Sequence, residues 1–333
     1  MGRMQKNAAL VLAGVFALAA PAVRADGLAG KLLAQGRIDD AILLLQQRIT
    51  TGPAVAESYI LLCRAYLVLD NWDASVSACQ KAVKLEPGNS LYHLWLGRAY
   101  GKKAEHSNFL TAAGLADDVR KEFETAVQLD PGSVEARSDL ADFYIEAPGV
   151  MGGGKDKAAA QAKEIAKTEP GEAHLISAKI AEKKKKVGVA EAEYRTAIRV
   201  SGGTAGTWLG LANFYRRTGR FPEMEDAVVH ATDPHMKRPD VLMEAAQVLI
   251  SARRNLPGAA ELLRRYLNSP ATVADAPVFK AHYLLGTVLE KQGDREGAVE
   301  QYRTALSLAK SFSQAQNALN RLTREMDKTA SAG

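Results

Sequence analysis

The residues with the most chemical potential lie in one glycine-rich run: Gly149, Val150, Met151, Gly152, Gly153, Gly154, Lys155 and Asp156. The run comes within one residue of the phosphate-binding pattern G-x4-G-K-[ST], in which backbone amides cradle a phosphate and a hydroxyl holds magnesium. Asp156 stands where that hydroxyl belongs, and its carboxylate would repel a phosphate. The stretch before it, 139–145, reads as helix, whereas the pattern must follow a strand. An extended turn between two helices is therefore expected here, with Asp156 capping the second.

Other reactive side chains are dispersed. His230 and His235 flank Asp233, but no third ligand stands at metal-site spacing. His93, His174 and His282 fall on one core-facing position of the repeat described below, where burial is expected. No nucleophile, base and acid can be assembled from spacing, so neither catalysis, a metal nor a cofactor is expected. Cys63 and Cys79 admit two readings. They are a pair of small buried thiols, or a disulfide of an oxidising compartment, which needs Cα atoms roughly 4.4–6.8 Å apart. The run Lys183–Lys186 is solvated surface at a turn or a weak anionic contact.

What must position these groups is a spacing that returns after 34 residues. Tyr59, Leu62, Cys63 and Tyr66, followed by Ser75, Cys79, Ala82 and Pro87, form one unit. Ala41, Leu45 and Pro53 precede Ser75, Cys79 and Pro87 by 34 each. Later units start with His93, Leu96, Gly97 and Tyr100, then Trp208, Leu211, Ala212 and Tyr215, then His282, Leu285, Gly286 and Leu289. Such a unit is a helix–turn–helix that cannot bury its apolar stripe alone and must stack on copies of itself. Small residues at unit positions 8, 20 and 27 let helix backbones approach, and bulky ones fill the gaps. Two insertions break the period, at 101–115 and 147–154. The pattern weakens in the first unit, short in its first helix, and around Asp240, so looser packing is expected there. Phe312, Ala315, Leu319 and Leu322 predict a helix capping the last apolar face, with a frayed tail from Lys328.

The N-terminus reads differently. Arg3 and Lys6 precede an apolar run, 8–20, and two small-x-small sites end at Ala22 and Ala25. That is the order of a cleaved secretory signal, too short to span a bilayer comfortably. Without Arg3, Lys6 and Arg24, the 43 basic residues become 40 against 38 acidic ones. A near-neutral mature chain gives no charge argument for nucleic acid or an anionic membrane.

Nearly the whole mature chain resembles tetratricopeptide-repeat proteins. The resemblance implies an all-α right-handed superhelix that holds peptide or protein segments on its concave face. A narrower similarity, over Trp95–Lys157, is to a group of exported bacterial tetratricopeptide proteins that share both insertions. Chaperone-binding members use Lys and Asn at fixed groove positions. Ile60, Arg64, Leu94 and Arg98 occupy those positions here, so recognition of a chaperone's acidic tail is not implied.

The face of each first helix opposite the core is the expected binding surface. In the second unit it carries Ile60, Arg64 and Val68 with Leu61 and Leu67 alongside, and in the third Leu91, Leu94 and Arg98 beside Trp95. The next unit turns acidic at Asp139 and Asp142. An apolar open face needs another surface to cover it. Filling of the joints between repeats by Leu61 and Trp95 is the competing reading. The expectation is thus a signal peptide over 1–25, a solenoid of about seven to eight hairpins over 26–309, and a capping helix and tail over 310–333. It is a non-catalytic module in the periplasm or outside the cell, binding a protein segment, or else a permanent subunit of an envelope export, polysaccharide or surface-structure assembly.

Overall fold

The computed structural model describes residues 19–233, 235, 238–269 and 276–331, with side chains described between 26 and 328. Most of the expected signal segment, 1–18, and the last two residues lie outside these. The regular elements are helices, paired in chain order. The hairpins are α1 (Ala19–Ala34) with α2 (Ile38–Thr51), α3 (Ala56–Val68) with α4 (Trp72–Leu85), α5 (Ser90–Glu105) with α6 (Phe109–Leu129), and α7 (Val134–Glu146) with α8 (Lys155–Ile165). They continue with α9 (Pro170–Lys183) and α10 (Val187–Val200), α11 (Ala205–Arg217) and α12 (Phe221–Ala231), α13 (Asp240–Ala252) and α14 (Leu256–Leu267), and α15 (Val278–Gln292) and α16 (Arg295–Leu308). A last helix, α17 (Ser313–Ser331), runs past the expected start of the tail.

The 34-residue period is visible in the backbone of the turns. Gly36, Asp70, Lys185, Gly219, Arg253 and Gly293 each sit between the two helices of a hairpin with positive φ. One left-handed residue reverses the chain within a few positions. The two hairpins without this short turn, α5–α6 and α7–α8, are the ones that carry the insertions.

Small residues act where the spacing placed them. A Cβ on Gly97 would lie 2.5 Å from the Phe123 ring, and one on Gly286 would lie 2.7 Å from Tyr302. Cys63 and Cys79 occupy the same joint between α3 and α4; they are disulfide-bonded, with Cα atoms 5.2 Å apart. Of the two readings of this pair, the structure takes the bridge.

The ends of the array meet. Leu32, Leu33, Ile38, Ala41, Ala65 and Leu69 from the first hairpins share one buried cluster with Phe279, Ala305, Ala309, Phe312 and Ala315 from the last. Polar contacts rim it. Asp39 accepts from the backbone amide of Lys310 and, at 2.5 Å, from the Ser311 hydroxyl. Asp70 accepts from Gln314 Nε2 at 2.7 Å. Leu322 of α17 joins the buried cluster that continues through α9–α16, so the final helix does cap that face.

Three expectations are corrected. Packing is not looser around Asp240: Val241, Ala245, Ala246, Leu249, Leu263 and Tyr266 are buried, because the apolar positions survive although the motif residues do not. Nor is the first unit loose, since Ile38, Ala41 and Leu45 are enclosed with help from the far end. Asp156 does not cap α8. The N-cap is Gly154, and Asp156 sits in the first turn, where its charge complements the helix dipole.

Candidate functional site: an inner wall of first helices

Successive first helices touch along the array: α1 on α3, α3 on α5, α7 on α9, α9 on α11, α11 on α13 and α13 on α15. Among the described residues, successive second helices make no comparable contacts, so the array curves with its first helices on the inner side. The pair α5 and α7 packs more loosely than the others, with Leu94 of α5 in the buried cluster of Ala136 and Leu140, and charged side chains reach from one helix to the other. Arg98 Nε donates to Asp139 Oδ2 at 2.6 Å, and its Nη2 donates to Glu135 Oε1 at 2.8 Å. Similar bridges join the next helices. Lys179 donates to Asp142 at 2.7 Å, Lys183 to Glu146 at 2.6 Å, and Arg217 to Glu182 at 2.7 Å. The basic and acidic stretches read from sequence are thus partners of one another. Lys183, first of the lysine run, belongs to this ladder, and Lys185 of the same run makes the left-handed turn.

Burial raises the Asp139 carboxyl above the usual carboxylate range, and Asp142 and Glu135 add to the push against the opposing pull of Arg98. An ion pair inside a wall is held at a desolvation cost, so its geometry matters more than its net energy.

Two guanidinium groups lie over the Trp95 ring, with Arg64 4.7 Å and Arg98 4.8 Å from its centroid. Ile60 and Leu94, which position arithmetic turned outward, are buried in the joints between repeats, and Trp95 is buried there too, as the competing reading of that residue had it. Leu61 and Val68 pack against the terminal cluster that holds Phe279 and Phe312. The surface that covers this side of α3 is the other end of the same chain. Leu91 remains open, 49% exposed.

Between α5, α6 and α7 lies a cleft of about 560 Å³. Val119, Phe123, Phe143 and Met151 give it an apolar lining, with Leu67 reaching in from α3. Gly101, Ala104 and Ala112 come from the first insertion, and Ala147 and Pro148 from the second. Arg98, Asp139 and Asp142 are shared between the cleft and the charge ladder. The structure therefore brings Leu67, Arg98, Asp139 and Asp142 together, and leaves Ile60, Leu61 and Leu94 inside the packing.

The glycine-rich loop closes one side of the cleft with the amides of residues 151–154 engaged. A short 3-10 turn, Gly149–Met151, follows Pro148. Gly152 N donates to Gly149 O, Gly153 N to Pro148 O, and Gly154 N to Tyr144 O at 2.8 Å. A phosphate cradle needs such amides free. Their engagement makes this loop a structural brace.

Two regular sets of side-chain bonds were not read from the sequence. The hydroxyls of Tyr66 and Tyr100 accept from Gln46 and Gln80, and Tyr144 donates to Glu124, each pair 20 positions apart. The histidines at unit position 4 reach the second helix of their own unit: His93 to Glu122 at 2.6 Å, His174 to Glu193 at 2.6 Å, and His282 to Gln301 at 2.8 Å. Recurrence of Tyr and Gln at fixed offsets was the available signal. His230, singled out for metal spacing, stacks on Trp208 with ring centroids 4.3 Å apart.

A tetratricopeptide-repeat family model matches residues 32–99, and a second matches 279–312. No curated protein matches the chain. Among solved structures, a thermophilic tetratricopeptide-repeat protein of Thermus thermophilus is 18% identical, covering 69% of this chain and 99% of its own, at a TM-score of 0.46. A tetratricopeptide-repeat protein from Parabacteroides merdae is 14% identical, covering 80% of this chain and 98% of its own, at a TM-score of 0.40.

Proposed function

We take as premise that the chain belongs to the tetratricopeptide-repeat family, and we infer from it a non-catalytic scaffold that holds a protein segment on its inner wall. Repeat arrays of this kind are generally protein-interaction scaffolds. The observation that carries the finer reading is the cleft that opens between α5, α6 and α7, where successive first helices pack most loosely along the array. A wall of stacked helices loses little entropy when a segment settles on it.

Location in the bacterial envelope, periplasmic or secreted, is part of the proposal. It is supported by the basic, apolar and small-residue order of 1–25 and by the Cys63–Cys79 bridge, which suits an oxidising compartment. Asp26, the first residue after the second cleavage site, is buried and accepts from Ser58 Oγ at 2.7 Å. Among the described residues, no helix is long and apolar enough to cross a membrane.

Purification from the native envelope tests the reading. An exchanging module should retain its partner in less than equal ratio and lose it with Leu91→Asp. A partner held at constant stoichiometry through every step would favour the permanent subunit. A folded Leu91→Asp, Arg98→Ala variant that retained every partner would contradict binding on this wall.

A further inference from the structure

We propose that the cleft between α5 and α7 is a specific receptor for a peptide segment carrying one large apolar side chain next to a lysine or arginine. This deepens the scaffold reading and rests on it. Three observations converge. First, both insertions wall the same cavity, although they belong to different hairpins. The insertion at 101–115 lengthens α6 at its start, and the insertion at 147–154 folds Pro148 and Met151 over the opposite side. Stacking the repeats needs neither, as the six uninterrupted hairpins demonstrate.

Second, the lips are apolar and uncovered. Phe109 is 72% exposed and lies on the same stripe of α6 as the lining residues Ala112, Ala116, Val119 and Phe123. Val150, between the lining residues Pro148 and Met151, is 95% exposed. Large apolar groups held at the mouth of an apolar cleft gain from a ligand that covers them. A volume of about 560 Å³ accepts an aromatic or long aliphatic side chain with its flanking backbone.

Third, the charge facing the cleft selects a cation. Glu105, Asp139, Asp142 and Glu146 line it against Arg98 and Lys102. The cations that answer Asp142 and Glu146 are Lys179 and Lys183, which approach from α9 and do not line the cleft. Glu105 pairs with Lys102, and Asp139 with Arg98. A basic group entering beside the apolar anchor meets the open sides of Asp142 and Glu146, whose side chains are 46% and 68% exposed. Such a group adds specificity and register, while the buried anchor supplies most of the affinity.

Selection of random linear peptides on the full-length protein tests this. The selected set should share a large apolar residue flanked by lysine or arginine. Its binding should fall by about tenfold or more when the lips are made acidic by Phe109→Asp with Val150→Asp, or when Ala112→Trp fills the cleft. Val229→Asp, a change at a 67% exposed position of α12, should leave binding unaltered. The two lip positions are exposed, so that variant remains informative if Ala112→Trp fails to fold. Selected peptides that bind these variants as tightly as the parent would overturn the cleft assignment and leave the inner wall as a scaffold. Recovery of no binding peptide would count against the scaffold reading as well.

Discussion

Asp70 and Lys280 lie 210 positions apart in sequence and form an ion pair of 3.1 Å. Both side chains are largely shielded, at 17% and 26% exposure. Behind them Phe279 and Phe312 pack edge to face, with ring centroids 5.0 Å apart. The array is thereby joined end to end, and its first hairpins borrow a core from its last.

Asp70 serves two purposes that a substitution can separate. Its φ of 61° is the left-handed geometry that glycine supplies at Gly36, Gly219 and Gly293. Asp70→Gly relieves that backbone cost, about 1 kcal/mol, but removes the bonds to Lys280 and Gln314, worth about 1–3 kcal/mol together. The expected outcome is net destabilisation in the parent and a neutral or stabilising effect in a Lys280→Ala, Gln314→Ala background. Urea midpoints of the four proteins read it. Stabilisation in both backgrounds would mean that the closure contributes nothing in solution.

Arg98 and Asp139 give a pH-dependent result. With its carboxyl raised mainly by burial, Asp139 is costly to ionise in the fold. Protonation is taken up more readily by the folded state, so stability from this group grows as pH falls through its raised value. Arg98→Ala leaves that carboxylate without its cation and should cost about 1–2 kcal/mol near pH 7, discounted for partial exposure. The deficit should shrink at a lower pH, below that raised value, where the carboxyl takes up its proton, and Asp139→Asn should largely rescue it. Chemical denaturation of the single and double variants at both pH values makes the comparison.

Two histidines at the same repeat position should titrate in opposite directions. The Glu122 bond, helped by the Pro87 carbonyl on the other ring nitrogen, holds His93 above the ordinary imidazole value against the effect of burial. Burial lowers His282, whose partner Gln301 is neutral. The stability from His93 is fully present below its unfolded value, about 6.5, and fades as pH rises through the folded one. For His282 the contribution is present above that unfolded value and fades as pH falls. Imidazole NMR titration should place His93 above, and His282 below, a denatured reference. The reverse order would contradict the geometry.

The Cys63–Cys79 bridge closes a short loop, with 16 positions between its ends. Its loss should cost about 3 kcal/mol. Both sulfurs belong to buried residues, so reductant should act on the native protein only after unfolding. Thiol titration of denatured, unreduced protein is expected to find none, and two thiols would disprove the bond.

The architecture was legible because its determinants are local. The 34-residue offsets from Ala41 to Ser75 and from Leu45 to Cys79 report helix spacing directly. The need for a cover over α3 was also legible in Leu61 and Val68. Its identity was not, because the covering residues Phe279 and Phe312 lie more than 200 positions away and nothing in a linear pattern links them. Position arithmetic failed for Ile60 and Leu94 because neighbouring units close over residues that an isolated hairpin would expose. The insertions could be located from Pro87, Pro131 and Pro170, but not that Ala112 and Met151 face one cleft.

Photo-crosslinking in the native envelope tests the central claim most directly. A photoreactive residue at Leu91 on the inner wall, or at Phe109 on the lip of the cleft, should each yield a discrete adduct with a protein partner. The same residue at Val229 on α12 should yield none. Adducts confined to position 229, or equal at all three, would contradict a scaffold that works from its inner wall.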